Sequence, residues 1–172
     1  GAYRTDVEGN GKREPATPAT TYKDIEQVVE GGAKEIDPVH PYDCDDPEKT
    51  HDLMAAIREA CQEYSVLSKV ILETAYYDDY FRLYDVTQEV IERYHAGFVK
   101  TSTGQHPKGG ARLETAAIML EAIKNSGQNC GFKAAGEIDT PDDAAQLIAL
   151  ARIKMESRFI DPTLFRLGSS KQ

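Results

Sequence analysis

GFVKT, residues 97–101, is a short apolar run that ends on a lysine and a threonine. CGFKA, residues 130–134, repeats the order of glycine, phenylalanine and lysine further along the chain. Short apolar runs without polar alternation are typical of strands that are buried on both faces of a parallel sheet. The two runs therefore predict neighbouring parallel strands, each with a lysine near its carboxyl end.

Other segments continue this pattern in both directions. EIDPV (35–39), KVILET (69–74) and TLFRL (163–167) are strand candidates, and a weaker one lies near residues 2–7. The strand centres recur roughly every 30 residues, which is the length of a strand, a helix and the return to a parallel neighbour. Apolar residues at helical spacing fill the intervals, at 22–29, 53–64, 81–94, 113–123 and 144–151.

This order predicts an α/β fold, either a doubly wound sheet or a (β/α) barrel. No GxGxxG or GxxxxGK[ST] loop follows any strand, which removes the usual nucleotide-binding reason for an open sheet. We therefore favour a TIM (β/α)8-type barrel, truncated, with about five to six of its eight strands present. Residues 1–20 are predicted to be an irregular N-terminal segment or arm, and residues 21–172 a partial barrel domain.

Composition limits the partners that the chain can bind. It has 20 basic and 29 acidic residues and a formal net charge of −9, which would repel a phosphate backbone or an anionic membrane. No apolar run approaches the ~20 residues of a membrane span. We therefore expect a cytoplasmic protein with neither nucleic acid nor a membrane as partner.

A metal site is also not expected. The acidic segment at residues 42–52, YDCDDPEKTHD, lacks the glycine and the terminal glutamate of a calcium loop. Its second half is better explained as the capped start of a helix. The three cysteines are scattered, with no CxxC spacing.

Lys100 and Lys133 stand at matching positions of neighbouring predicted strands. Adjacent strands lie about 4.8 Å apart, so the two amines can approach each other inside a barrel mouth. Repulsion and partial desolvation lower the pKa of an ammonium group, and only a neutral amine can attack a carbonyl to form a Schiff base. The pair predicts one lysine prepared as a nucleophile, although a single lysine at a strand end usually points to solvent.

Asp37 is the candidate for proton transfer. Schiff-base chemistry needs an acid or base to move protons on and off the carbinolamine and the α-carbon. Asp37 lies in a strand two before that of Lys100, and alternate strands of a barrel contribute to the same interior layer. A loop hydrogen bond or a helix cap is the simpler role for an isolated aspartate.

Five motifs, in this order and spacing, resemble those of the deoxyribose-phosphate aldolase family: EID (35–37), KVILET (69–74), FVKTSTG (98–104), GFKAAG (131–136) and FRLGSS (165–170). The resemblance runs from about residue 21 to residue 170. It implies a (β/α)8 barrel and a class I aldolase that needs neither a metal nor another cofactor. Such an enzyme reversibly cleaves 2-deoxyribose 5-phosphate to acetaldehyde and glyceraldehyde 3-phosphate.

The resemblance also implies roles for individual residues. By motif, Lys100 matches the Schiff-base lysine, Lys133 the second lysine that tunes it, and Asp37 the acid of the proton relay. Thr103 resembles the family residue whose hydroxyl group contacts the substrate. The segments that hold phosphate, through backbone N–H groups that face the anion, are matched by Gly136 and by Gly168, Ser169 and Ser170.

Two alternatives stay open. Glu137 stands where the family has a second glycine in its phosphate segment, and it adds a negative charge where an anion would bind. An unphosphorylated aldehyde or sugar is therefore an alternative to a phosphosugar as the small-molecule partner. The incomplete set of strands leaves a catalytically impaired subunit, with a structural or homo-oligomer-forming role, as the alternative function.

Overall fold

A parallel sheet in which every strand pairs with the next one along the chain forms the centre of the molecule. The computed structural model describes residues 2–3, 16–105 and 109–169. The strands are β1 (Ala2–Tyr3), β2 (Glu35–Pro38), β3 (Leu67–Ile71), β4 (Phe98–Lys100), β5 (Gly131–Ala135) and β6 (Phe165–Gly168).

The strand order distinguishes between the two folds that the sequence left open. A doubly wound sheet contains a point at which the strand order reverses. The described sheet runs β1 to β6 without a reversal, and all of its pairs are parallel. Because crossovers between parallel strands are right-handed, this order places the connecting helices on one face. The predicted barrel-type fold is confirmed.

The sheet is also curved. In a flat sheet β2 and β6 would lie roughly 19 Å apart, since neighbouring strands are about 4.8 Å apart. Arg166 on β6 nevertheless places Nη1 2.7 Å from Oε2 of Glu35 on β2. The face that carries these two side chains is therefore the inner face of a curved wall.

Helices cover the outer face. They are α1 (Pro18–Glu30), α2 (Pro47–Glu63), α3 (Tyr80–Glu92), α4 (Leu113–Ser126) and α5 (Pro141–Lys154), with short 3₁₀ turns at Thr74–Tyr76 and Ser157–Phe159. Within the described residues, none of the helices has the length and apolar character that crossing a membrane requires.

The start of α1 differs from the sequence prediction. Residues 1–20 were expected to be irregular, but α1 begins at Pro18. Thr17 caps it, since its Oγ1 accepts a hydrogen bond from the N–H of Thr20, and proline is well suited to the first helical turn. Of the predicted strand at residues 2–7, β1 accounts for the first two residues, and residues 4–15 lie outside the described parts of the chain.

The end of β3 also differs. KVILET at 69–74 was predicted as strand, but β3 starts at Leu67 and ends at Ile71. The backbone then leaves the sheet because Glu73 adopts a left-handed conformation, with φ of 54°, and a 3₁₀ turn begins at Thr74. This bend directs Glu73 toward the site described below.

The strands separate apolar from charged side chains by simple alternation. One set of alternate residues faces the helices and belongs to one buried cluster: Ile36, Val70, Val99, Phe132 and Phe165. The neighbouring positions face inward and carry charge: Asp37, Lys69, Lys100, Lys133 and Arg166. A shift of register by one residue would bury these charges against the helices, so the pattern fixes the register.

Gly131 has a packing role on the inner face. It pairs with Phe98 across β4 and β5, and a Cβ on Gly131 would lie 2.4 Å from the Phe98 ring. Phe98 is only 2% exposed, so its ring has little room to move.

We expect Gly131→Ala to lower the free energy of unfolding by about 1–3 kcal/mol, because the added methyl group overpacks the core. The control is Gly31→Ala, at a position with an ordinary φ of −68° where the nearest atom to a new Cβ is 3.3 Å away. Urea denaturation of both variants measures the difference. Equal midpoints for the two variants would contradict the packing role.

Candidate active site

The centre of the site is the carboxylate of Asp37, on the inner face of β2. Its Oδ2 accepts hydrogen bonds from Lys100 Nζ at 2.9 Å and from Lys133 Nζ at 3.0 Å, and its Oδ1 lies 2.6 Å from Lys69 Nζ. Asp37 is 6% exposed. One buried anion therefore binds three ammonium groups.

The structure brings together the three residues that the sequence predicted as catalytic. Lys100 and Lys133 are direct partners in the pairing of β4 with β5. Because both bind the same oxygen of Asp37, their amines lie no farther apart than the sum of the two contact distances. Their catalytic roles remain a prediction, but the proximity on which it depends is present.

A second carboxylate extends the charged cluster. Glu35 Oε2 accepts hydrogen bonds from Arg166 Nη1 at 2.7 Å and from Lys69 Nζ at 3.0 Å. These bonds, that of Arg166 first, lower the pKa of Glu35 to about 2. Lys69 thus joins Glu35 to Asp37, and the charges alternate from β6 through β2 and β3 to the lysine pair.

The protonation state of Asp37 follows from its contacts. Burial alone would raise the pKa of Asp37, but the hydrogen bonds from Lys69, Lys100 and Lys133 outweigh burial and hold that pKa well below its usual range. Asp37 is therefore ionised at neutral pH.

For Lys100 the balance is reversed, because burial has a larger effect on its pKa than the contact with Asp37. Burial lowers the pKa of Lys100; the hydrogen bond and charge of Asp37 oppose this shift, and the ammonium groups of Lys133 and Lys69 add to it. The net pKa lies below the ordinary lysine value because burial, with a smaller contribution from the two neighbouring ammonium groups, outweighs the contact with Asp37. Lys133 is the more exposed of the pair, with 20% of its side chain accessible against 8% for Lys100. Lys100 is the better-desolvated amine.

Thr103 lies beyond the end of β4 and is hydrogen-bonded to the buried carboxylate of Glu73. Its Oγ1 donates to Glu73 Oε2 at 2.6 Å, and its backbone N–H donates to the same oxygen at 3.2 Å. Glu73 is 1% exposed, and its Oε1 has no hydrogen-bond partner among the described residues. Since the hydroxyl proton of Thr103 is already bound, a substrate hydroxyl would have to donate to Thr103 rather than accept from it.

The predicted glycines lie at the carboxyl ends of β5 and β6. Gly168 pairs with Ala135, and a Cβ on Gly168 would lie 3.4 Å from Lys133 Cε. Gly136, with φ of 86°, follows directly. Ser169 donates its hydroxyl to the carbonyl of Ile138 at 2.9 Å. Ser170, the last predicted contact, lies outside the described residues.

The acidic segment at residues 42–52 has a structural role. Asp46 caps α2, since its Oδ1 accepts the N–H groups of Glu48 at 3.1 Å and Lys49 at 3.2 Å. Across the described parts of the chain, no three histidine, cysteine, aspartate or glutamate side chains gather as a metal site.

Sequence reasoning missed three members of the charged cluster and the carboxylate that binds Thr103: Glu35, Lys69 and Arg166, and Glu73. The sequence contained evidence for three of them. Glu35, Lys69 and Arg166 are charged residues in predicted strands, at positions that alternate onto the same face of the sheet as Lys100 and Lys133. Charge at inward positions of a buried strand is uncommon and indicates an interior network. Glu73 gave no such signal, since its direction depends on its left-handed backbone.

Comparisons with known proteins show the family to which the chain belongs. A family model described as DeoC/LacD family aldolase matches residues 4–155. A curated deoxyribose-phosphate aldolase from Agrobacterium fabrum is 40% identical over 155 residues, which are 88% of this chain and 59% of that protein. The chain therefore spans less than two thirds of the length of this relative.

Solved structures of aldolases share the fold of this chain. The tetrameric deoxyribose phosphate aldolase from Aeropyrum pernix is 26% identical, with a TM-score of 0.70 over 90% of this chain and 58% of that one. The aldolase QR15 is 25% identical, with a TM-score of 0.69 over 88% of this chain and 62% of that one.

We expect Asp37→Asn to lower the free energy of unfolding at pH 7 by about 3–5 kcal/mol, because it leaves buried ammonium groups without their anion. The folded-state pKa of Asp37 is lowered, so its contribution to stability is present above its unfolded pKa of about 3.9 and is lost as the pH falls toward the folded value. The difference between wild type and variant should therefore narrow below about pH 4.

Urea denaturation at a series of pH values measures this difference without screening the charges. The control is Asp45→Asn, which removes an exposed carboxylate and should change stability by less than about 0.5 kcal/mol. A wild-type advantage over Asp37→Asn that is small at pH 7, or that does not depend on pH, would contradict the role given to Asp37.

Proposed function

Because the chain belongs to the DeoC/LacD family of aldolases, we propose that the protein is a class I aldolase that reversibly cleaves 2-deoxyribose 5-phosphate to acetaldehyde and glyceraldehyde 3-phosphate. One observation carries the proposal: Lys100, with its pKa lowered, lies 2.9 Å from a carboxylate that also binds Lys133. This arrangement supplies a nucleophilic amine with an acid and a base beside it.

The first step is attack of the neutral amine of Lys100 on the aldehyde carbon, C1, of the open-chain sugar. The new C–N bond gives a carbinolamine, whose hydroxyl leaves as water after it takes up a proton. The product is an iminium ion, which withdraws electrons from C2. Lys133 is the proposed proton donor, because its ammonium group shares Asp37 Oδ2 with Lys100.

The iminium ion then allows the carbon–carbon bond to break. A base removes the proton of the C3 hydroxyl, the C2–C3 bond cleaves, and its electron pair moves into an enamine on Lys100. Glyceraldehyde 3-phosphate leaves as the aldehyde that contains C3. Protonation of the enamine at C2 and hydrolysis release acetaldehyde and restore the amine.

Asp37 connects the two lysines in these proton transfers. Its Oδ2 lies 2.9 Å and 3.0 Å from their amines, so a proton can pass between them through one acceptor. Lys69 holds the other oxygen at 2.6 Å and keeps the carboxylate oriented. Lys69 is therefore a positioning residue in this proposal, and Asp37 the proton carrier.

Thr103 is the proposed contact to a substrate hydroxyl. Glu73 fixes the direction of its O–H bond, and the N–H of Gln105 donates to its oxygen at 3.1 Å, which leaves one lone pair to accept a further hydrogen bond. The partner is then a small molecule with hydroxyl groups along its chain, as in a deoxysugar.

The alternative function, an impaired subunit with a structural role, is less well supported. A subunit released from catalysis would have no need to keep six charged side chains on the inner face of its sheet, three of them buried, because unpaired buried charge is costly. All six have an ion-pair partner within 3.0 Å: Glu35, Asp37, Lys69, Lys100, Lys133 and Arg166. A homo-oligomer is compatible with either function, and the Aeropyrum pernix relative is a tetramer.

The test is to trap the Schiff base. Incubation with acetaldehyde and sodium borohydride should leave an N-ethyl group on Lys100, located by peptide mass spectrometry, because burial lowers the pKa of this amine. Lys100→Arg keeps the positive charge and should abolish the adduct, while Lys23→Arg, on α1, should leave it unchanged.

Two results would overturn the proposal. One is the absence of an adduct under conditions that label an authentic class I aldolase. The other is an adduct on Lys133 or Lys69 that persists in Lys100→Arg.

A further inference from the structure

Glu137 places a carboxylate on the glycine segment that precedes α4. Its Oε2 accepts a hydrogen bond from the N–H of Gly110 at 3.1 Å. The same oxygen lies 2.3 Å from the position that a Cβ on Gly109 would take, so the carboxylate rests directly against this segment. A backbone N–H beside glycine is a common binding position for anions, and here the chain fills it with its own side chain.

Glycines from three segments meet at this place. A Cβ on Gly110 would lie 2.4 Å from the backbone of Gly136, and a Cβ on Gly136 would lie 3.4 Å from Gly104 Cα. The N–H of Ala111 also donates to the carbonyl of Gly136 at 3.0 Å. The backbones of Gly110 and Gly136 approach too closely for a side chain on Gly110, and the three glycine segments are together called the cradle below.

The cradle lies at the mouth of the proposed site. Gly104 follows β4, which carries Lys100, and Gly136 follows β5, which carries Lys133. At a rise of about 3.3 Å per residue, Gly136 lies roughly 10 Å beyond Lys133 along the strand direction. This is comparable to the length of a five-carbon sugar whose first carbon is bound at the lysines.

The backbone of Glu137 is strained for the residue that it carries. Its φ of 55° is in the left-handed region, where glycine is favoured and a glutamate is not. An unfavourable conformation that the surrounding structure holds in place is a reason to look for function in the side chain.

We propose that Glu137 determines specificity by occupying the anion position with its own carboxylate, so that the enzyme acts on sugars or aldehydes whose far end is an uncharged hydroxyl group. This inference rests on the proposed aldolase chemistry at Lys100 and revises that proposal in one respect: the preferred substrate is the unphosphorylated sugar rather than its 5-phosphate. A carboxylate has acceptor positions left after it binds Gly110, so a terminal hydroxyl can donate to it. A phosphate group offers negative charge and acceptors only, and Glu137 repels it.

The experiment compares 2-deoxyribose with 2-deoxyribose 5-phosphate as substrates of wild type, Glu137→Gln and Glu137→Gly. We expect wild type to prefer the unphosphorylated sugar in kcat/KM. The ratio of phosphorylated to unphosphorylated kcat/KM should rise at least about tenfold in Glu137→Gln, which loses the charge. It should rise further in Glu137→Gly, which also opens the cradle and relieves the left-handed strain.

Inorganic phosphate is an independent probe of the same position. It should inhibit cleavage of 2-deoxyribose by Glu137→Gly and not by wild type. The matched control is Glu30→Gln, an equal change of charge at the exposed last residue of α1, near the amino ends of the strands. Its substrate ratio should equal that of wild type.

The results separate two kinds of failure. No acetaldehyde adduct on Lys100 of wild type would overturn the aldolase function and this inference with it. An adduct on Lys100, together with a wild-type preference for the phosphorylated sugar or an unchanged ratio in both Glu137 variants, would overturn only the role of Glu137.

Discussion

The division of one buried carboxylate among three ammonium groups is the constraint on which the rest of this structure depends. Asp37 binds Lys69, Lys100 and Lys133 from three neighbouring strands, and each of these contacts is 3.0 Å or shorter. Buried charges are tolerated only when they are paired, so these contacts require a parallel, in-register and curved sheet. The same contacts compensate the charged groups unequally. The shared anion is held strongly ionised, whereas Lys100 is left with less compensation than an isolated ion pair would give.

The proposed function depends on the lowered pKa of Lys100 and on the groups that surround this amine. An amine that loses its proton more readily than usual lies beside an acceptor and a second ammonium group, which is the set that imine formation needs. In the proposed function, the far end of a substrate lies at the glycine segments beyond β4 and β5. There the chain offers a carboxylate, Glu137, on the N–H of Gly110. In the proposed mechanism, chemistry and specificity therefore lie at different depths of the site and can change independently.

The sequence predicted the centre of the site better than its surroundings. Lys100 and Lys133 were predicted to be neighbours because the pattern of glycine, phenylalanine and lysine recurs in equivalent strands, and pairing in a parallel sheet follows from such equivalence. The contact of Arg166 with Glu35 was not predicted, since it joins strands that are not adjacent and depends on the curvature of the sheet. Curvature arises from the packing of all the helices and strands together, and no local pattern encodes it. The bend at Glu73 was missed for a similar reason, because its left-handed backbone interrupts an apolar run that reads as continuous strand.

The pKa of Lys100 tests the account most directly. NMR of protein labelled with 13C at lysine Cε, with the Lys100 signal assigned from its absence in Lys100→Arg, follows the titration of this amine. The account predicts a pKa below the ordinary lysine value of about 10.4 in wild type, and a lower one still in Asp37→Asn, where the shared anion is gone. A Lys100 that titrates at or above the ordinary value, or that does not respond to the loss of Asp37, would contradict it.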